Sequence, residues 1–558
     1  MTTLDSAART RPADGGARTF VRRLYFYGMA LISLIAALIA ADNLIYILDG
    51  IWLGSNVGEA VYTIDFYTRD AIAGNGGVLL VATPIFLVHW AAILNRRDLE
   101  ELHSGMRKFF LYVAAAVAVG YALYNAFSLI QGIAQLAFGM PVSQSTIWPA
   151  GWLHDLLMLL IGLALQRYFL NIARTDGDLG QEIGIAGTWR RLYQTLAGLF
   201  GLGLVIFGSV GLIETLLRMA LNAVGVQVTV IGWWAPRLAD HLAQLLVGAP
   251  LLRLNWVRWQ ALAVAHPQEA QTALRRFYLY VAVVGGALTV LLPVAELLRS
   301  LILVLLGELS FADPQFIDIL TTTIAATPVG LAIWRWHWSF LQREAAAYGE
   351  SHEGALIRRL YYYAVAATGL IILWFGAVDV VQVGLDWISG QITTGGDRIW
   401  VFPLAAGLSR IVVAAPIWAY HWQVVQRVAR QDDAAGRAER ASGPRKVYLY
   451  GVALVSGLVI LFYLAQVAYR LLLVLLGDPT VSFMGAEAAG DLARSAIAAI
   501  IWTVHVLAIR DDAKMGADAI ETPPDLTPVE RRAILEARIN QLEIELKQLR
   551  EELASLPQ

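Results

Sequence analysis

The residues of this chain that could do chemistry are ionisable and amide side chains set inside long apolar runs. Asp42, Asn43, Glu214, Glu296, Asp379, Gln382, Asp386 and Gln466 each interrupt a stretch that would otherwise suit a bilayer. Hydrocarbon penalises such groups, so each must face protein or water, and ion or proton handling is the chemistry open to them. Counted onward from the first residue of six recurring basic doublets, the twenty-first residue is Asn43, Ser128, Gly211, Glu296, Asp379 and Gln466, polar in all copies but one. One reading is a ring of polar groups lining a path. The other is interhelical hydrogen-bond glue, at about 0.6 kcal/mol per contact. Glu214 with Arg218, and Glu296 with Arg299, are spaced to pair on one helical face. Asp42 and Asp386 show no such neighbour, which makes them the better candidates for ion or proton handling.

A second set sits on the return stretches. Pro84, Pro250 and Pro416 each remove a mid-span backbone hydrogen bond, and five residues later stand His89, Asn255 and His421, each followed by Trp. Pro328 keeps a following Trp334 but has its histidine displaced to His337. An inward imidazole on a kinked helix could gate a path or relay protons. The alternative makes Trp an interfacial anchor with His beside it as a polar companion. One histidine per return stretch, with no mutual spacing, argues against haem. No phosphate loop, nucleophile elbow or zinc motif occurs, so any enzyme site would have to be assembled from Asp42, Glu214 or His421 across helices. The expectation is a non-enzymatic protein without a cofactor.

The elements that must position these residues are membrane helices. A chain of 558 residues that is 58% hydrophobic and 15% charged, with mean hydropathy +0.57, holds far more apolar side chain than a soluble core needs. Cysteine is absent, which excludes disulfides, thiolate nucleophiles and iron–sulfur clusters. A net charge of −2 gives no reason to expect a nucleic-acid partner.

The doublets Arg22-Arg23, Arg107-Lys108, Arg190-Arg191, Arg275-Arg276, Arg358-Arg359 and Arg445-Lys446 start 83 to 87 residues apart, and Pro84, Pro250 and Pro416 fall at equal intervals of 166 residues. Odd copies open Arg-Arg-Leu-Tyr, so the unit is a pair of hairpins present three times. Twelve spans follow, at roughly 24–48, 73–95, 109–138, 152–173, 192–222, 239–262, 277–307, 318–342, 361–389, 403–428, 447–477 and 488–509.

The fold class is therefore an all-α integral membrane protein of three tandem four-helix units, plus a C-terminal coiled coil. Its expected parts are a disordered arm over 1–21, units over 22–189, 190–357 and 358–510, a linker over 511–526 and a coiled-coil helix over 527–558. The basic leader followed by an apolar run also fits a signal peptide, but the run is too long and its pattern returns five more times. Basic residues collect at the junctions between hairpins, which puts both termini in the cytoplasm. Trp52, Trp148, Trp152, Trp233, Trp234, Trp387 and Trp400 fit an aromatic belt at the opposite face.

The tail opens Thr527-Pro528-Val529-Glu530, an N-cap, a first-turn proline and a capping acid. Leu535, Leu542, Leu549 and Leu556 then fall at d, with Ile539, Leu546 and Leu553 at a. Arg538 and Glu545 at g oppose Glu543 and Arg550 at e of a parallel neighbour, so both pairs attract. Arg538-Ile539-Asn540-Gln541-Leu542-Glu543 also resembles a parallel trimer pattern. The expected partners are the lipid bilayer, further copies of the chain (trimer favoured over dimer) and a cytoplasmic protein.

Tandem four-helix units with Arg-Arg-Leu-Tyr openings and a Pro-x-x-x-x-His-Trp return helix resemble an uncharacterised family of multi-spanning bacterial membrane domains, the domain of unknown function 5671 type. The likeness covers roughly Arg22 to Arg510. It implies a bacterial plasma-membrane protein and brings no activity or catalytic residue. The readings that remain are a membrane scaffold or sensor, and a channel or transporter for an ion or small solute.

Overall fold

The computed structural model describes residues 14–53, 66–96, 98–140, 151–177, 184–226, 234–392, 398–477, 486–518 and 528–555; Trp148, Trp233 and Leu556 lie outside them. Every regular element among the described residues is a helix. Twelve long helices form six hairpins: α1 (Asp14–Leu53) with α2 (Phe66–Leu94), α4 (Gly105–Ala137) with α5 (Trp152–Thr175), α6 (Ile185–Ala223) with α7 (Trp234–Ala265), α9 (Ala273–Leu305) with α10 (Pro314–Tyr348), α11 (His352–Ile388) with α12 (Val401–Ala429), and α14 (Gly443–Leu475) with α15 (Ala486–Asp518). Short helices α3 (Leu99–Leu102), α8 (Pro267–Ala270) and α13 (Ala434–Ala441) join the hairpins in pairs, and α16 (Pro528–Ser555) closes the chain.

Eleven of the described helices are long and apolar enough to cross a membrane. The exception among the twelve is α7, which carries Arg237, Asp240, Arg253 and Arg258 along its length. Side chains such as Leu80, Phe207 and Leu461 are 77%, 70% and 68% exposed, an outward apolar surface that hydrocarbon tolerates and water does not. Two boundaries differ from expectation. Helix α1 begins at Asp14, within the stretch expected to be a disordered arm, and α15 runs to Asp518, within the expected linker.

Turn chemistry explains where the first helices stop. After α4, α6, α9, α11 and α14 stand Gly139, Gly225, Gly307, Gly390 and Gly477, all with φ between 74° and 84°. Only glycine takes that left-handed conformation without a Cβ penalty, and it lets the next amide satisfy a carbonyl of the final turn. Met140 N, Val226 N, Glu308 N and Gln391 N accordingly donate to Gln135, Leu221, Leu303 and Asp386.

Two compact units divide the chain, Met1–Arg358 and Arg359–Gln558. Within the first, four hairpins share one body: α4 packs on α6 and α7, and α6 on α9 and α10. Phe109 meets Trp189 at 4.7 Å between ring centroids, Tyr112 meets Tyr193 at 5.7 Å, and Gln131 donates to Asp240.

Small residues let the helices of each hairpin approach. Ser33, Ala118, Gly201, Gly286, Gly369 and Ser456, eleven residues after the first basic residue, are all buried. On the return helices Ala82, Gly162, Gly248, Gly330, Ala414 and Ala498 are buried in the same way. A Cβ on Gly286 would lie 2.9 Å from Gly330 O, and one on Gly162 2.6 Å from Ala118 O, so the backbones nearly touch.

This crossing corrects one reading. Pro84, Pro250 and Pro416 lie two residues after the return-helix small residue, whereas Pro328 lies two before Gly330. Pro328 is therefore not their counterpart. Histidine is the fixed position instead: His89, Asn255, His337 and His421 all stand seven residues past the crossing, joined by His505 and by Phe169. The helices run on through all four prolines.

Candidate functional site

At the basic end of each hairpin, an arginine from the first helix binds an acid that follows or ends the second. In odd hairpins Arg23 meets Glu101 at 2.9 Å, Arg191 meets Glu269 at 2.7 Å and Arg359 meets Glu439 at 2.7 Å. In even hairpins Arg107 meets Asp176 at 2.6 Å, Arg275 meets Glu344 at 3.0 Å and Arg445 meets Asp512 at 2.6 Å. Tyr27 and Tyr363 donate to the second oxygen of Glu101 and Glu439 at 2.9 and 2.8 Å. Thr195 stands where those tyrosines would be, and Arg190 turns in to reach Glu269 at 2.8 Å instead. Burial alone would push the Glu269 carboxyl up, but its bonds to Arg191 and Arg190 hold it below the usual carboxylate range. The signal for these acids was present in the sequence, since an acid recurs 67 to 80 residues after each arginine.

One turn further in lies a layer of imidazole and phenol. His89, His337, His421 and His505 place Nδ1 2.7 to 2.8 Å from the carbonyls of Ile85, Ile333, Ile417 and Ile501. Their Nε2 atoms face the hydroxyls of Tyr25, Tyr278, Tyr361 and Tyr448 at 3.2 to 3.5 Å. A carbonyl only accepts, so Nδ1 carries the proton and Nε2 is left to accept the tyrosine O–H. Imidazoles with partners on both sides tie helices together. In the second hairpin Phe110 and Phe169 fill the two places, and in the third Asn255 donates to Gln194 O at 2.7 Å beside Tyr193. Trp90 departs from the interfacial reading: it is buried against Phe110 and Phe169 and donates to Tyr168 at 2.8 Å.

Nearer the turns, most candidate polar groups have partners within their own unit. The Asn43 side-chain amide donates to Asn75 at 3.1 Å. Glu214 takes Arg218 at 2.7 Å, Arg218 also reaches Asp318, Glu296 takes Arg299, and Asp379 takes Arg410. Gln382 lies against Gly490, while Ser128 and Gln466 are half-buried. Asp386 keeps one buried oxygen without a hydrogen bond.

Asp42 does have a partner, contrary to the sequence reading. His154 at the start of α5 places Nε2 2.8 Å from Asp42 and Nδ1 3.1 Å from Asp155. Both carboxylates can only accept, so this imidazole and its two acids hold one proton more than a neutral ring between two carboxylates. Asp49 braces the site by accepting from the backbone amides of Gly151 and His154 at 2.7 and 3.1 Å. Oxygens of Asp49, Asn125 and Asp155 remain buried without a donor. The other units lack this arrangement. Twenty-one residues before the closing acids Asp176, Glu344 and Asp512 stand Asp155, Thr323 and Asp491, and Asp491 is held by Arg470 at 2.9 Å and Arg494 at 3.4 Å. Among the described residues only the first unit centres its acids on an imidazole. Among the described residues no group of His, Asp or Glu is arranged to hold a metal ion.

No curated protein and no solved structure matches the chain. A family model described as Domain of unknown function (DUF5671) matches residues 23–164, 191–317 and 359–504, one copy beginning at the second arginine of each odd hairpin. With three tandem copies covering most of its length, the chain belongs to the DUF5671 family.

Proposed function

We propose that this protein is a non-enzymatic membrane scaffold or sensor, crossing a bacterial plasma membrane twelve times as three four-helix units with both termini in the cytoplasm. Copies associate through α16 as a parallel trimeric coiled coil, which also offers a surface to a cytoplasmic protein. The observation that carries this reading is the uncovered seam of α16. Leu535, Ile539, Leu542, Leu546 and Leu549 are 49% to 63% exposed along one continuous helix, at the spacing of a two-sided heptad contact. The polar positions favour the same reading, because Asn43, Glu296 and Asp379 are each engaged by a near neighbour. About four heptads are weak alone, so association depends on the concentration the membrane imposes.

The test is the mass of the full chain in detergent and in lipid nanodiscs, beside Ile539→Asp/Leu542→Asp. A wild-type trimer that falls to monomer in the variant is expected; a monomeric wild type, or a trimer that survives the change, refutes the reading.

The second reading, an ion or proton channel or transporter, is favoured by the Asp42–His154–Asp155 cluster with its unsatisfied buried oxygens. It predicts flux in proteoliposomes that Asn43→Leu/Glu296→Leu/Asp379→Leu abolishes at unchanged melting temperature. The scaffold reading expects no flux from either protein and a less stable variant, at about 0.6 to 1.7 kcal/mol per lost contact.

A further inference from the structure

The third four-helix unit has a groove at its basic end, beside a connector longer than its counterparts. Helix α13 is 8 residues long, against 4 for α3 and α8. Between it, α14 and α15 opens a space of about 380 Å³, lined by Arg437, Arg440, Lys446, Leu449, Tyr450, Ile509, Asp512 and Met515 among others. That volume falls within the roughly 300–1,000 Å³ of small-ligand sites.

Charge in the groove is unbalanced. Asp512 is its one acid, and Arg445 already holds both of its oxygens, at 2.6 and 2.8 Å. Arg440 is fixed by the carbonyls of Ala429 and Gln431, whereas Arg437 and Lys446 are exposed. The counterparts of Lys446 turn inward: Lys108 donates to Ala173 O at 2.8 Å, and Arg276 to Gly349 O at 3.1 Å. The second basic residue of the doublet has thus been released from a structural role in this unit alone.

An apolar track leads away from the groove. Below Lys446 on the same face of α14, at helical spacing, stand Tyr450, Leu454, Leu458 and Leu461, each 55% to 68% exposed. In the first unit the corresponding helix, α4, is covered by α6 and α7. Cations at a helix end above an outward apolar stripe match a ligand with an anionic head and a hydrocarbon tail. We propose that this groove binds the phosphate headgroup of an anionic phospholipid through Arg437, Arg440 and Lys446, with an acyl chain along Tyr450–Leu461. A phosphate head alone would suit the cations, but the stripe requires the tail.

The experiment compares the purified full chain with Arg437→Gln/Lys446→Gln and with the charge-keeping Arg437→Lys/Lys446→Arg. Binding of dioleoylphosphatidylglycerol, dioleoylphosphatidylcholine and inorganic phosphate is read by native mass spectrometry and by quenching from brominated acyl chains. The wild type and the charge-keeping variant should retain phosphatidylglycerol over phosphatidylcholine. The neutral variant should bind it about thirtyfold more weakly, the equivalent of about 2 kcal/mol for two basic residues. Equal retention of both lipids, or an unchanged neutral variant, overturns the proposal. Competition by millimolar phosphate assigns the groove to a free anion and overturns the acyl part. If the neutral variant instead changes the number of chains per particle, the face is a contact between copies and the lipid site falls. None of these outcomes depends on the α16 seam, so the scaffold reading stands or falls separately.

Discussion

Replacing Glu344 with Gln should be among the most damaging single-atom changes available in this protein. Arg275 is 1% exposed, and its guanidinium lies 5.2 Å from the centre of the Trp259 ring and 5.9 Å from that of Phe340. Among the described residues Glu344 is its one anionic partner, through bonds of 3.0 and 3.2 Å to Nε, with a further carbonyl contact to Trp259 O at 3.4 Å. Breaking one side of a buried ion pair costs about 3–5 kcal/mol, because the remaining charge loses its partner without regaining water. The aromatic faces around Arg275 are present in both proteins, so their cation–π attraction cancels in the difference. A loss of about 3–5 kcal/mol is the working expectation, read as reversible unfolding in mixed micelles. The double variant Arg275→Met/Glu344→Leu should recover most of the loss, since apolar residues of similar volume remove the stranded charge. If Glu344→Gln costs under about 1 kcal/mol, the figure for an exposed pair, Arg275 reaches water and the buried-clasp argument fails.

Glu269 predicts a pH dependence. Its carboxyl is held below the usual range, so the stability it contributes is full above about pH 5 and is lost as pH falls through its folded value; melting curves of wild type and Glu269→Gln should converge in acid and separate near neutrality. Parallel curves at all pH values would refute this. Tyr448→Phe strands the His505 Nε2 that the hydroxyl meets at 3.2 Å, at a cost of about 1–2 kcal/mol, whereas Tyr448→Phe/His505→Phe copies the Phe110–Phe169 solution and should be less destabilised; the Trp418 contact to the hydroxyl is lost in both. A double variant weaker than the single would sink the equivalence of the two layers. Orientation is testable because the chain has no cysteine: a cysteine at Ser310 should react with an impermeant thiol reagent in intact cells, and one at Ser442 should not.

Much of the architecture was legible because it repeats. Equal spacing of the basic doublets and of Pro84, Pro250 and Pro416 reveals the hairpin pairs before any residue is placed in space. Pairings within one helix were legible too, since Glu214 and Arg218 lie one turn apart. Partners on different helices were not. His154 and Asp42 are 112 residues apart and belong to different hairpins, so no local spacing connects them. The histidine register was misread because Pro328 resembles the other prolines, while the feature that fixes the register, a pair of small residues at each crossing, carries no chemical signature of its own. The acids of the basic end were hidden in plain view, as counter-charges in loops read only for their positive residues.

Those acids give each hairpin a clasp made from its own two ends. Arg107 and Asp176 are 69 residues apart, as are Arg275 and Glu344, and nothing from a later hairpin takes part in either bond. During synthesis, then, a hairpin need not wait for the rest of the chain: its arginine emerges first, two apolar helices follow, and the acid that neutralises it arrives with the next junction. Each pair of helices can be shut before the next pair begins to emerge. A protein assembled this way presents the insertion machinery with a succession of short problems, and a fault in one clasp should leave the hairpins already made intact.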